Sequence, residues 1–361
     1  MKVLFIARST LFKDRGGDTV QALRTAEYLR KAGIAVDVKL TSEAIDYGEY
    51  QLLHFFNIIR PADILRHIRR SGKPYVVSTI FVDYSEYERK ARKGFTGLLS
   101  RIVPSDWMEY LKVIARWLVN GEKLVSSSYI LYGQRASIRK IVRGAGMLLP
   151  NSASEYQRLY AHYRQAQRFT VVPNAIDPQL FRPPGGVAER DDRLVICVGR
   201  IEGRKNQLNL IRALNGTFYR LIIIGSPSAN QLGYYAECKK AAAANVSFVA
   251  ATDQETLLDF YLKARVHVLP SWFETTGLSS LEAAAMGCNL VITGKGDTRE
   301  YFEDDAWYCE PDSPASIREA VDRAAAAPFN VSLQNRIFTT YTWEQAAQKT
   351  AAAYKAVLEN E

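Results

Sequence analysis

Cysteine is scarce in this chain: four in 361 residues, Cys197, Cys238, Cys288 and Cys309, with no CxxC pair and no Cys/His spacing among them. That excludes a disulfide framework and a zinc site, and the thiols are expected to be reduced, as in a cytosolic protein. No apolar run approaches the ~18 to 20 residues that cross a bilayer, so an integral membrane protein is not expected. The chain opens directly on the strand-like Met1-Lys2-Val3-Leu4-Phe5-Ile6-Ala7, which has neither the length nor the cleavage site of a signal peptide. No segment is low in complexity, no Asp-x-Asp pair stands in a plausible metal loop, and no nucleic-acid-binding module or concentrated basic stripe is present. What remains is a globular composition, 47% hydrophobic and 24% charged, long enough for two domains with separate cores. The net charge of +9 favours anionic surfaces, whether membrane, nucleic acid or nucleotide-linked substrate, without choosing among them.

The most informative stretch is Val266 to Thr293. A short apolar run, Val266 to Leu269, stops at Pro270; a loop of Trp272, Phe273, Glu274, Thr275, Thr276 and Gly277 follows, and a helical pattern starts near Ser279. A helix start offers unpaired N–H groups and a partial positive charge, which suits a phosphate. Glu274 in the loop and Glu282 eight positions on are carboxylates beside such a site, where sugar or ribose hydroxyls would supply their hydrogen bonds. The plainer reading of the pair is negative charge favouring a helix dipole.

That spacing resembles the E-x7-E signature of retaining glycosyltransferases with the GT-B fold, family four (group 1) type. The resemblance implies an α/β architecture of two doubly wound, Rossmann-like domains facing a central cleft. It also implies that Glu274 contacts the transferred sugar, that Thr276, Gly277 and Leu278 offer N–H groups to the donor diphosphate, and that Glu282 holds the ribose. Further along, Gly199-Arg200-Ile201-Glu202-Gly203-Arg204-Lys205-Asn206 closes a buried strand, and Arg200 and Lys205 match the family's paired cations that neutralise the diphosphate. Val171-Val172-Pro173-Asn174-Ala175-Ile176-Asp177 is close to the family's P-N-G-[IV]-D segment, with alanine in place of glycine. Gly296 and Glu300 fall where the family has Gly-Gly-x-x-E, but the second glycine is Asp297.

In chain order, residues 1 to 40 read as strand, glycine loop, helix and strand, a βαβ opening that predicts a parallel sheet. Gly17, in the Gly16-Gly17 pair, is a donor-binding candidate by resemblance; Gly-Gly also serves in plain turns. Leu52–Asn57 and Tyr75–Thr79 are expected as strands whose C-terminal ends face one crevice, which makes Asp83, Tyr84 and Glu86 acceptor-side candidates. The family often has a histidine after the second of these strands, where this chain has Phe81; His54 is the substitute candidate, against the alternative that it is structural. Between 88 and 146 a basic start, Arg89, Lys90, Arg92 and Lys93, precedes Trp107, Tyr110, Leu111, Ile114, Trp117 and Leu118. These residues form either a buried helix face with a solvated charge cluster or a surface that touches anionic lipid. Arg182-Pro183-Pro184-Gly185-Gly186 reads as a linker, and a Thr-x-x-Gln capping pattern opens a last helix, Thr342 to Leu358.

The expected domains are 1–172, completed by a C-terminal helix 342–361, and 173–341. The activity that the resemblance implies is hexosyl transfer with retention from a nucleotide-sugar donor to a glycan acceptor, and the family together with the basic charge points to a lipid-linked acceptor in lipopolysaccharide, O-antigen or other surface polysaccharide assembly. No cofactor and no metal are expected, and the location is cytoplasmic, peripheral on the inner face of the membrane, with no nucleic acid partner. The rival readings are a nucleotide-sugar epimerase on the same fold and a non-catalytic nucleotide- or polyanion-binding protein.

Overall fold

A computed structural model describes residues 1–13, 16–90, 127–183 and 190–359. Arg92, Lys93, the Trp107–Leu118 pattern and the Pro184-Gly185-Gly186 part of the expected linker lie outside them. The chain forms two compact units: Met1–Phe81, Lys93–Asn174 and Trp343–Glu361 in the first, Val82–Arg92 and Ala175–Thr342 in the second. The short segment 82–92, expected in the first domain from its place in the chain, therefore groups with the second.

The first unit is built on a parallel sheet of β1 (Lys2–Ala7), β2 (Ala35–Leu40), β3 (Leu52–Phe56), β4 (Tyr75–Ser78) and β5 (Met147–Leu148), in the order β2-β1-β3-β4-β5. β1 and β3 are buried along almost their whole length, as strands covered on both faces must be, so their sequences are continuous apolar runs without alternation. The helix Gly17–Lys31 follows β1 with Asp18 in its first turn and Arg30 and Lys31 in its last, the polarity a helix dipole favours. The C-terminal helix Trp343–Leu358 packs against it. From that helix Tyr354, fully buried, reaches His54, whose Nδ1 lies 2.7 Å from the Tyr354 hydroxyl and whose Nε2 lies 2.8 Å from Ser78 Oγ. Burial pushes the His54 imidazole down to about 3. His54 is thus a neutral core residue with both ring nitrogens engaged, and it leaves the acceptor-side set.

The second unit holds a six-stranded parallel sheet, β11-β10-β9-β6-β7-β8, from β6 (Asp191–Val198), β7 (Arg220–Ile224), β8 (Val246–Val249), β9 (Ala264–Leu269), β10 (Asn289–Thr293) and β11 (Trp307–Cys309). The chain runs outward from β6 to β8, then returns to the other side of β6 with β9, β10 and β11. The order therefore reverses between β6 and β9, and in open α/β sheets ligands bind beyond the carboxyl ends of the strands at such a point. Alternate side chains divide between two cores: Val195, Cys197, Val266 and Val268 join one, while Ile196, Val198, Leu269 and Ile292 join the other. All four cysteines are buried and free.

Candidate functional site

Lys205 and Glu274 follow the two strands that flank the reversal. After β6 the chain makes a 3-10 turn, Gly203–Lys205, that ends at Asn206 in the left-handed region (φ 62°). Asn206, almost fully buried, donates through Nδ2 to the carbonyls of Pro270 (3.0 Å) and Pro311 (2.6 Å), and Trp272 N–H donates to the Arg204 carbonyl (2.9 Å). These bonds tie the loop after β6 to the loop after β9. The result is an ion pair, Lys205 Nζ to Glu274 Oε2, at 2.7 Å, with side chains 23% and 12% exposed. Burial pushes the Lys205 ammonium down, and the Glu274 carboxylate more than offsets it, holding the amine above its ordinary value.

Glu274 is fixed through its backbone as well. Its N–H donates to the Lys295 carbonyl (3.1 Å) and its carbonyl accepts from Asp297 N–H (2.9 Å), a bridge to the loop after β10. Gly296 sits there at φ 102°, and a Cβ on it would fall 2.0 Å from the Glu274 carbonyl oxygen. Gly277, at φ 71°, caps the helix Leu278–Ala285, and its carbonyl accepts from Ser280 N–H (2.8 Å) and Leu281 N–H (3.1 Å). Thr276 is buried beside it and Leu278 half-buried at the helix start. One turn on, half-buried Glu282 accepts a 2.9 Å hydrogen bond from the hydroxyl of Tyr261, which is fully buried on the helix Gln254–Lys263.

A second cluster of charge surrounds Glu202, which lies 3.7 Å from Arg200 Nη2 and 3.1 Å from Arg204 Nη2. The Glu202 side chain is 7% exposed, while those of Arg200 and Arg204 are 36% and 37% exposed, so a buried carboxylate holds two partly accessible cations. The Arg204 guanidinium lies over the Tyr84 ring, 4.4 Å from its centroid, and Tyr84 meets Phe273 edge-on at 6.2 Å. In the helix Ser85–Lys90, Glu86 pairs with Lys295 (2.6 Å) and Lys90 (3.0 Å), and Lys90 also reaches Asp312 (2.7 Å). Asp83 is exposed and accepts from Ser85 N–H at 2.9 Å. Tyr84 therefore stands against the loops that carry Lys205 and Glu274, and Glu86 against the loop after β10.

The second unit brings together Arg200, Lys205, Glu274, Thr276, Gly277, Leu278 and Glu282. Gly17 belongs to the first unit, exposed at the first position of its helix, with the Arg8–Asp18 ion pair (2.6 Å) beside it. Sequence reasoning missed Glu202, Arg204, Lys295 and Tyr261. Lys295, set between Gly294 and Gly296 straight after a buried strand, carried the signal that had already marked Lys205; Tyr261 carried none. Among the described residues no group of three or more His, Cys, Asp or Glu could hold a metal ion, and no helix is long and apolar enough to cross a membrane.

Residues 183–337 match the family of glycosyl transferases group 1. An uncharacterized glycosyltransferase of Methanocaldococcus jannaschii is 25% identical over 394 residues, covering 95% of each chain. Among solved structures, sucrose-phosphate synthase from Thermosynechococcus elongatus is similar with a TM-score of 0.73 at 16% identity, over 100% of both chains. Anabaena HepE in complex with UDP-glucose is similar at 0.68 and 14% identity, over 99% of this chain and 100% of that one. Residues 183–337 are accordingly a group 1 glycosyl transferase domain, and the chain has the two-sheet α/β fold of the GT-B glycosyltransferases.

Proposed function

We propose that the protein is a retaining hexosyltransferase that takes a nucleotide-sugar donor at the loops after β6 and β9 and passes the sugar to a glycan acceptor. The observation that carries this reading is the Lys205–Glu274 pair at 2.7 Å across the point where the strand order reverses. As the bond from the anomeric carbon to the diphosphate breaks, negative charge grows on the diphosphate and positive charge on the sugar. Lys205 and Arg200 neutralise the first, helped by the N–H groups at the helix start after Gly277, and Glu274 faces the second. The acceptor oxygen bonds to the anomeric carbon on the face the diphosphate leaves, and its proton passes to a diphosphate oxygen. Glu282 accepts from the ribose hydroxyls. Transfer proceeds without divalent metal, because protein cations occupy that role.

A UDP-sugar is the first donor to test, since a structural neighbour is solved with UDP-glucose. The acceptor class proposed is a lipid-linked glycan in surface polysaccharide assembly such as O-antigen, handled on the cytoplasmic side by a protein held peripherally at the membrane. The net charge of +9 supports that setting.

The deciding experiment measures UDP affinity and sugar transfer in parallel for Glu274→Ala and Glu282→Ala. Loss of hydrogen bonds to a charged acceptor, ~1.5 to 3 kcal/mol each, weakens UDP binding roughly tenfold to a hundredfold in Glu282→Ala. Glu274→Ala keeps UDP affinity and loses turnover. Folded variants that bind and turn over like the parent overturn the reading in favour of a binding protein, and donor isomerisation without acceptor favours an epimerase.

A further inference from the structure

In the first unit, the helix Pro61–Ser71 packs against Ser127–Gly144, a helical segment interrupted at Gly133. Between them opens a groove of about 780 Å³, within the range of small-molecule sites. Its apolar wall is Leu65, Ile68 and Ala136, and Lys73, Arg139, Lys140 and Arg143 line the rest with no carboxylate among the lining residues. The imbalance extends beyond the lining: 61–73 and 127–144 each contain four Lys or Arg, eight together, against one carboxylate, Asp63.

The groove's place in the fold separates it from the glycosyl transfer site. Lys73 lies two residues before β4 and Gly144 three before β5, so the groove opens at the amino ends of these parallel strands. Ligands of the transfer reaction belong at the carboxyl ends. Gly72, left-handed at φ 58°, ends its helix and turns the chain so that Lys73 joins the wall. Arg139 is held by donating through Nε to the Tyr163 carbonyl (2.6 Å), whereas Lys140 and Arg143 are exposed.

We infer that this groove binds an anionic amphiphile: a phosphate or carboxylate group carried on an apolar chain, the chain lying on Leu65 and Ile68 and the anion meeting Lys140 and Arg143. An apolar wall alone would accept a neutral chain equally well. A basic surface alone would accept bare phosphate. The two features in one concavity select a ligand that has both, because charge-assisted hydrogen bonds and apolar burial then act on the same molecule. The site requires no glycosyl transfer and stands apart from the activity proposed above.

Monomeric dodecyl phosphate, below its micelle concentration, is the probe, with dodecyl maltoside and inorganic phosphate as the chain-only and anion-only controls. Calorimetric titration is expected to give dodecyl phosphate at least about tenfold tighter binding than either control. Lys140→Glu/Arg143→Glu reverses two exposed charges and should abolish that preference. Ala136→Trp, also at an exposed position, fills the groove and should block the chain while leaving both cations in place. Both variants should unfold at the parent's temperature and bind UDP as the parent does, which confines any loss to the groove. Equal binding of dodecyl phosphate and dodecyl maltoside, equal binding of dodecyl phosphate and inorganic phosphate, or parental affinity in both variants would overturn the inference.

Discussion

At the scale of single residues, Lys205 and Glu274 define each other. Burial pushes Lys205 down, and the Glu274 carboxylate, with smaller help from Tyr84 and Glu202, holds it above the ordinary lysine value of 10.5. A raised folded-state value means that the pair's contribution to stability is complete below 10.5 and is lost as pH rises through the folded value. Glu274→Gln removes that attraction but not the burial. The variant is therefore expected to be less stable than the parent at neutral pH, with the gap narrowing above pH 10.5; urea midpoints of both proteins across pH 7 to about 11 check it. A gap that does not change with pH would mean that it does not arise from the charge attraction between Lys205 and Glu274. Tyr261 offers a second test. Tyr261→Phe keeps the ring in the core and deletes one 2.9 Å hydrogen bond to Glu282. If Glu282 meets the ribose, UDP affinity should fall several-fold, by about 1 kcal/mol, and the preference for UDP over its 2′-deoxy form should shrink. An unchanged ratio would show that Tyr261 does not orient the carboxylate. Lys205 and Glu274 stood out as candidates in the sequence through the resemblance to the E-x7-E spacing and the paired cations, supported by the place of each in a loop after a buried strand. His54 stayed open between a site role and a structural one because β3 is buried on both faces: in a run without alternation, nothing in Leu52-Leu53-His54-Phe55-Phe56 says which way the imidazole points.

At the scale of elements, continuous apolar runs announced the strands, and glycine, proline and asparagine marked where they stop. The segment 82–92 was not legible in this way. Ser85–Lys90 has no buried residue, so no hydrophobic pattern assigns it to a core. Its place comes from partners about 200 residues away in sequence, Lys295 and Asp312, which local pattern cannot reveal. Those pairs also give Lys90, one of the basic residues that open the 88–146 stretch, carboxylate partners in Glu86 and Asp312. The loop after β10 shows how backbone rather than side chain sets a site. Gly296 allows the Glu274 carbonyl to approach, and any Cβ there must displace it. Gly296→Ala is expected to cost ~1 to 3 kcal/mol in stability and to lower transfer far more than UDP affinity, because Glu274 moves while Glu282 does not. Parental transfer in a folded Gly296→Ala protein would show that the position of Glu274 is not set by this contact.

At the scale of the whole molecule, two sheets with separate cores make stability a property of each unit, and ligand binding adds to the unit that holds the ligand. The cations and carboxylates assigned to the donor all lie in Ala175–Thr342. At one hundred times its dissociation constant UDP stabilises that unit by ~2.7 kcal/mol. For a unit of this size ~1 kcal/mol raises the midpoint by roughly 2 to 4 °C, so the expected shift is about 5 to 11 °C. It should appear in the calorimetric transition of the second unit, fall in Glu282→Ala to the ~0.4 to 1.4 kcal/mol that tenfold to hundredfold weaker binding leaves at the same UDP concentration, and persist in excess chelator. Chelator enters because the diphosphate is assigned to Lys205, Arg200 and the helix start, all of them fixed parts of the chain, and sugar transfer should survive it as well. A thermal shift and a transfer rate that both vanish with chelator and return with Mg2+ or Mn2+ would move the neutralising charge from these side chains to a metal ion. A shift that survives chelator while transfer does not would leave the donor site as described and assign the metal to the acceptor step alone.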